Sequence, residues 1–398
     1  MGTEKIHSPF LEREMRFVKG PRQVIILSDG IRGHVNQSRG VALWLSRLAG
    51  SKVHELEIPP LSGVNRFLAL KVFSVILPSA DKDRAHRWLK RSGGSALTDA
   101  VERKCEDLVL SGTELLFLST GSSSAPFTLA LARFFGGRAA TIMTPSVLKT
   151  APFDFAIVPA HDFPPEAPNV FRTLGAPNAI DPEGLKREAE LLFERFPPVA
   201  KKKWGVLIGG DDANYRVTPE WARKRVRFLA EQALRQGADL YVTTSRRTAP
   251  ETEEALLELS ADFPVFRMLL LASKDPWNPV PGILGACDEI FCTEDSVSMV
   301  SEAATAGFVV RLLRVERKKG VRDFLKRGLC WSIDKMGLPR RFRCGVSRFD
   351  AMLADFEKKG LIVEDGGEET TVNSCGGERR NAFNEAEQAA RWILDRWD

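Results

Sequence analysis

The stretch Asp288-Glu-Ile-Phe-Cys-Thr-Glu-Asp-Ser-Val-Ser-Met-Val-Ser-Glu-Ala-Ala-Thr-Ala-Gly307 carries side chains suited to hold an anion and a diol. Its apolar opening over 289–293 reads as a short buried strand, followed by a Ser-rich turn, a helix and a glycine stop at Gly307. Ser296 and Ser298 fall at the expected helix start, where free backbone N–H groups and the helix dipole favour negative charge. Glu302 lies one turn further in, where a carboxylate accepts hydrogen bonds from a ribose diol. Phosphate donors beside a diol acceptor point to a nucleotide or nucleotide-sugar site, and Asp295 at the end of the strand is grouped with them. A capped helix with a solvated glutamate is the plainer alternative.

Two further loops fit the same chemistry. Gly209-Gly-Asp-Asp-Ala-Asn-Tyr-Arg216 lets backbone approach a ligand closely, because glycine has no side chain in the way. Gly209 and Gly210 are therefore expected at a diphosphate. Arg216, or Ser245 and Arg246 in the loop after the strand over 239–244, would contact the charge of a departing nucleoside phosphate. In the first half, Asp29-Gly-Ile-Arg-Gly-His-Val-Asn-Gln37 is a polar loop at the carboxyl end of an apolar strand. It suits an acceptor and its proton: His34 takes a proton at neutral pH, and Asp29 either orients it or acts as the base. Arg32, Gly33, Asn36 and Gln37 are the acceptor contacts.

Several motifs are excluded. The loop after Ser28 lacks GxGxxG spacing and is followed by no Gly-Lys-Ser/Thr, so it is neither a dinucleotide fingerprint nor a P-loop. Ser122-Ser-Ser124 lacks a GxSxG elbow. Asp211-Asp212 only imitates a metal-binding acid pair, so neither a metal ion nor a bound cofactor is expected. His161-Asp162 reads as a hinge turn before the second half.

Apolar runs at 23–28, 53–58, 115–119, 140–143 and 155–158 alternate with helical patterns, as in a parallel α/β sheet. The pattern restarts at 204–208 and continues through 239–244, 265–271, 289–293 and 308–315. The chain of 398 residues is long for one core, and the reading is two Rossmann-like domains facing a cleft. They run over 1–180 and 200–330, with an extension over 331–398 whose helix at 381–397 packs on a domain and whose Gly/Glu-rich stretch at 364–380 is a loop. A net charge of +5 is small for this length and argues against a nucleic-acid partner. Six cysteines without CxxC spacing fit a reducing compartment, and the charged N-terminus lacks a signal-peptide core, so a cytoplasmic protein is expected. Between 61 and 91 there are seven Lys/Arg against two Asp/Glu, beside the apolar run 67–77. With Trp88, this segment has the make-up of an interfacial anchor for anionic lipid, or else of a buried helix followed by a basic solvated one.

The restart of the α/β pattern, Gly209-Gly210 and the strand–Ser–helix–Glu segment together resemble the GT-B class of glycosyltransferases. More narrowly, Ser28–Gln37, Val158-Pro-Ala-His-Asp162, Gly175-Ala-Pro-Asn178, Ile208-Gly-Gly210, Thr243-Thr-Ser-Arg-Arg-Thr248 and Thr293–Glu302 resemble the bacterial and plant mitochondrial-fission (elongated-mitochondria) family of proposed glycosyltransferases. The resemblance implies a donor half at the C-terminal side, an acceptor half at the N-terminal side, and metal-independent transfer from a nucleotide sugar. By the same likeness Glu302 holds the ribose, and Ser296 and Ser298 the phosphate. One departure is Gly121-Ser122, where the family more often carries Gly-Arg. The expectation is a glycosyltransferase acting on a lipid-linked or lipopolysaccharide-type acceptor, peripheral on the inner face of the cytoplasmic membrane. The rivals are a nucleotide-sugar epimerase on the same frame and a non-catalytic membrane-associated scaffold.

Overall fold

Continuous apolar runs become strands covered on both faces. In the computed structural model, which describes residues 19–60, 70, 72–104, 114–212, 214–318, 348–365 and 383–397, the first sheet contains β1 (Gln23–Ser28), β2 (Lys52–Glu57), β3 (Leu115–Thr120), β4 (Arg138–Ile142), β5 (Phe155–Pro159) and β6 (Val170–Thr173). All pair in parallel in the order β2-β1-β3-β4-β5-β6. The second sheet contains β7 (Lys202–Leu207), β9 (Ala238–Thr243), β10 (Phe266–Leu270), β11 (Glu289–Thr293), β12 (Val310–Leu313) and β14 (Ile362–Glu364). It is also parallel, in the order β10-β9-β7-β11-β12-β14. A two-stranded antiparallel ribbon of β8 (Tyr215–Arg216) and β13 (Glu316–Arg317) lies beside it. The chain thus forms two Rossmann-like α/β domains.

The helices carry the loops of interest. In the first half they are α1 (Arg32–Ala49), α2 (Lys82–Arg91), α3 (Ser95–Lys104) and α4 (Ala125–Phe135). In the second they are α5 (Leu185–Arg195), α6 (Arg227–Gln236), α7 (Pro250–Asp262), α8 (Val280–Ala286) and α9 (Val297–Thr305). α10 (Arg348–Lys358) and α11 (Glu385–Leu394) follow. The described residues after 330 are shared between the halves. α10 and β14 complete the second domain. α11 crosses back, and Ala386, Ala389, Ala390 and Ile393 pack with Val41 and Leu45 of α1 in the first core. Asn384 caps α11 by accepting the Glu387 amide at 3.0 Å.

Two sequence expectations are corrected here. α1 begins at Arg32, so Arg32, Gly33 and His34 belong to a helix and not to a loop. Its start is hard to read because the cap position is Ile31, which makes no side-chain cap, and Gly33 is a weak helix former. Trp88 is buried on Phe127 and is a core residue, not an interfacial anchor. Much of the apolar run at 67–77 and nearly all of the loop at 364–380 lie outside the described residues.

Candidate active site

The helix after β1 meets the second half, through Arg32 and Pro276 and through Asn36 and Glu302. After β1 the chain turns through Gly30, whose φ of 76° is in the left-handed region that glycine adopts without strain. Asp29 then reaches two partners: it accepts the Ile31 amide at 3.1 Å and meets Nδ1 of His34 at 2.8 Å. Asp29 is nearly covered, while His34 keeps part of its ring exposed. Gly121, following β3, leaves space for that ring, because a Cβ there would lie 2.7 Å from Cε1 of His34. Gly121 therefore has a steric role: it seats the imidazole.

One turn along α1, Asn36 donates to Oε1 of Glu302 at 2.7 Å, joining the domains across the cleft. Arg32 makes a second crossing, donating to the Pro276 carbonyl at 2.7 Å. Gln37 is buried and its Oε1 has no hydrogen-bond partner. Gly33 borders open space.

In the second domain Glu302 projects from α9 and is buried. Burial pushes its carboxyl up to about 7, against the opposing effect of hydrogen bonds from Ser298 and Asn36. Ser296 occupies the cap position of α9 without making a side-chain cap, so its hydroxyl is not spent on the helix. The first-turn amides of α9 have no acceptor within the helix. Ser301 and Thr305 face the other way: Ser301 accepts the Ala176 amide at 3.1 Å and Thr305 accepts from the Asn178 side chain at 3.0 Å. The Gly175–Asn178 stretch is thus the interdomain connection, seated on α9.

The glycine loop is built differently from the expectation. The Gly209 amide donates to Thr293 Oγ1 at 2.7 Å and the Gly210 amide to Asp295 Oδ2 at 2.8 Å. Both glycines are required by close approach, Gly209 to the Asp295 carboxylate and Gly210 to the backbone of Arg247. Their amides are committed inside the protein and do not offer themselves to a phosphate. Arg247, not Arg246, turns inward, donating to the Gly210 carbonyl and to Asp295, each at 3.0 Å. Arg246 is exposed. Ser245 is occupied by the Arg247 amide at 3.1 Å. Arg216 sits on the ribbon, 3.6 Å from Asp211. Asp295 is fully covered, its carboxyl raised by desolvation, and its Oδ1 has no hydrogen-bond partner.

Sequence reasoning missed Thr293 and Thr248, which anchors the loop by donating to the Gly209 carbonyl at 2.5 Å. A Thr at a strand's end is not distinctive until the partner loop is known. Among the described residues, no group of three or more His, Cys, Asp or Glu is arranged to hold a metal ion. Nor is any helix among them long and apolar enough to cross a membrane.

Comparison with known proteins adds a family. Mitochondrial fission protein ELM1 of Arabidopsis thaliana is 26% identical over 213 residues, covering 48% of this chain and 48% of that protein. This chain therefore spans less than half the length of that curated relative. Similar solved structures include the UDP-GlcNAc 2-epimerase from Neisseria meningitidis bound to UDP-GlcNAc, with 13% identity, a TM-score of 0.45, and coverage of 94% of this chain and 98% of that one. Another is the glycosyltransferase SnogD from Streptomyces nogalater, with 13% identity, a TM-score of 0.40 and coverage of 95% of each chain. A family model described as Mitochondrial fission ELM1 matches residues 32–329, a span that holds His34, the Gly209 loop and Glu302, and the chain belongs to that family.

Proposed function

We propose that the protein is a glycosyltransferase that moves a sugar from a nucleotide-sugar donor to an acceptor hydroxyl without a metal ion, the acceptor being borne on a lipid such as a lipopolysaccharide precursor. The observation that carries this reading is the Asn36–Glu302 contact. It ties a buried carboxyl of α9 to Asn36, two residues after His34 on α1, and so to the side of the His34–Asp29 pair on the opposite domain.

In this reading the donor lies against α9. Glu302 accepts from the ribose diol, displacing Asn36, while Ser298 stays on Glu302 and Ser296 and the first-turn amides of α9 hold the diphosphate. Asp29 engages Nδ1 of His34, so Nε2 is the nitrogen left to take a proton. The acceptor oxygen attacks the anomeric carbon as its proton passes to Nε2. The bond from that carbon to the phosphate oxygen breaks, and the nucleoside diphosphate leaves with the electron pair. Helix-tip donors and the Arg247 guanidinium stabilise the charge that develops there; one such preorganised donor is worth about 3 kcal/mol. Arg32, Gly33 and Gln37 border the acceptor side.

The test is a thermal-shift panel of UDP, GDP, CMP and ADP sugars followed by product analysis. A ligand at about 100 times its dissociation constant adds roughly 2.7 kcal/mol of stability. An epimerase is the second reading, favoured by two buried acids with raised pKa values, Asp295 and Glu302. It predicts that a single sugar nucleotide is converted with no acceptor present.

A further inference from the structure

We propose that an apolar turn at residues 72–76, together with an arginine stripe on α2, docks the first domain on an anionic lipid bilayer. The turn has an inside and an outside. Leu70, Ser74 and Leu77 recur at helical spacing and are buried. Between them Val72, Phe73, Val75 and Ile76 are 68%, 64%, 61% and 54% exposed, four of the twelve most exposed large apolar side chains among the described residues. Single exposed apolar residues are ordinary, but four within five positions form a patch.

The charge beside the patch identifies its partner. In α2, Ala85, Trp88 and Leu89 form the buried face. Arg84, Arg87 and Arg91 recur at three and four residues, so they form one exposed stripe flanking the Trp88 edge of that face. Lys90 is also exposed. Trp88 ties the two features together, because its indole N–H donates to the Phe73 carbonyl at 3.2 Å. An apolar wedge beside a cationic row matches the two layers of a bilayer surface, acyl chains and anionic headgroups.

The location suits a lipid-borne acceptor, and to that extent the inference rests on the glycosyltransferase reading. Trp88 packs on Phe127 with ring centroids 5.2 Å apart, and Phe127 lies in the first turn of α4. That turn begins just past the carboxyl end of β3, which pairs in parallel with β1. The patch is therefore held toward the same edge of the sheet as Asp29 and His34.

The experiment is co-sedimentation of the full chain with phosphatidylcholine vesicles and with vesicles containing phosphatidylglycerol, at low and high salt. The nucleotide-sugar thermal shift is measured on the same samples. Binding to the anionic vesicles that weakens in high salt is expected. Phe73→Ser with Ile76→Ser, and separately Arg87→Glu with Arg91→Glu, should each lower partitioning at least about tenfold, since each basic residue near an anionic surface contributes roughly fivefold. Both pairs are exposed, so melting temperature and nucleotide response should match the parent. Failure of wild type to bind anionic vesicles better than neutral ones would overturn the proposal, whatever the nucleotide result. A concentration-dependent dimer abolished by Phe73→Ser with Ile76→Ser would also overturn it, by showing that a second copy covers the patch. A missing nucleotide response with normal vesicle binding would instead count against the glycosyltransferase reading.

Discussion

His34 and Asp29 form the smallest unit of the proposed reaction. Asp29 meets Nδ1 of His34 at 2.8 Å, and in the proposed transfer Nε2 is the base. Replacing His34 with Asn should lower turnover about 10²- to 10⁴-fold, a range typical of a positioned general base. Asp29→Asn should have a smaller effect of the same sign. Neither should change the nucleotide-induced thermal shift, because both residues lie on the acceptor domain. Nucleotide release from the sugar nucleotide selected by the panel measures the first effect; parental rates in both variants would remove His34 from the reaction. The contact of His34 with Asp29 was legible because a His five positions after an Asp, in a polar turn at the end of an apolar run, is within reach of that carboxylate. Arg247 was harder to single out than Arg246, because adjacent arginines after a strand point in different directions and only the Gly210 backbone decides which is drawn in. The Gly209 loop misled for a similar reason: paired glycines do signal close approach, but the approaching group is the protein's own Asp295 carboxylate.

At the scale of elements, the strands were the most legible part. Buried parallel strands are uninterrupted apolar runs, and β1, β3 and β11 fall where those runs lie. β6 was missed, since Val170–Thr173 is a half-buried edge strand with a charged member and no such run. The start of α1 was missed for want of a capping residue. Within α1, Gly40 is placed for a reason no periodicity reveals: a methyl there would overlap the Asn178 carbonyl of the interdomain connection. The obstructing atoms are backbone, so they cannot rotate away. Gly40→Ala should therefore destabilise the protein by about 1–3 kcal/mol despite alanine's better helix propensity. Chemical denaturation checks this, and a variant as stable as the parent would show that α1 and the connection slide freely. Gly33 is the internal control, because an added Cβ there meets open space. Gly33→Ala should leave stability unchanged or raise it slightly.

The whole molecule is held as two facing domains by contacts that include buried acids. Glu302 joins α9 to Asn36, and Glu385 at the start of α11 accepts the Leu174 amide at 3.1 Å. Burial raises both carboxyls from 4.5 to about 7. The folded protein thus retains protons that the unfolded chain releases. Their stabilising contribution is complete below about pH 4.5 and disappears as pH rises through about 7, at up to about 1.4 kcal/mol per pH unit for each group. Glu302→Gln with Glu385→Gln should flatten the fall in stability between those limits, as read by denaturation at a series of pH values; an unchanged slope would mean that neither acid holds its proton in the fold. The most direct test of the account is the Glu302 carboxyl itself, which on this reading takes a nucleotide's ribose at the mouth of the second domain. One sugar nucleotide in the UDP, GDP, CMP and ADP panel should raise the melting temperature of the native protein, and Glu302→Ala should abolish that rise while remaining folded. A full nucleotide-induced rise in Glu302→Ala, or no rise in the native protein with any member of the panel, would contradict it.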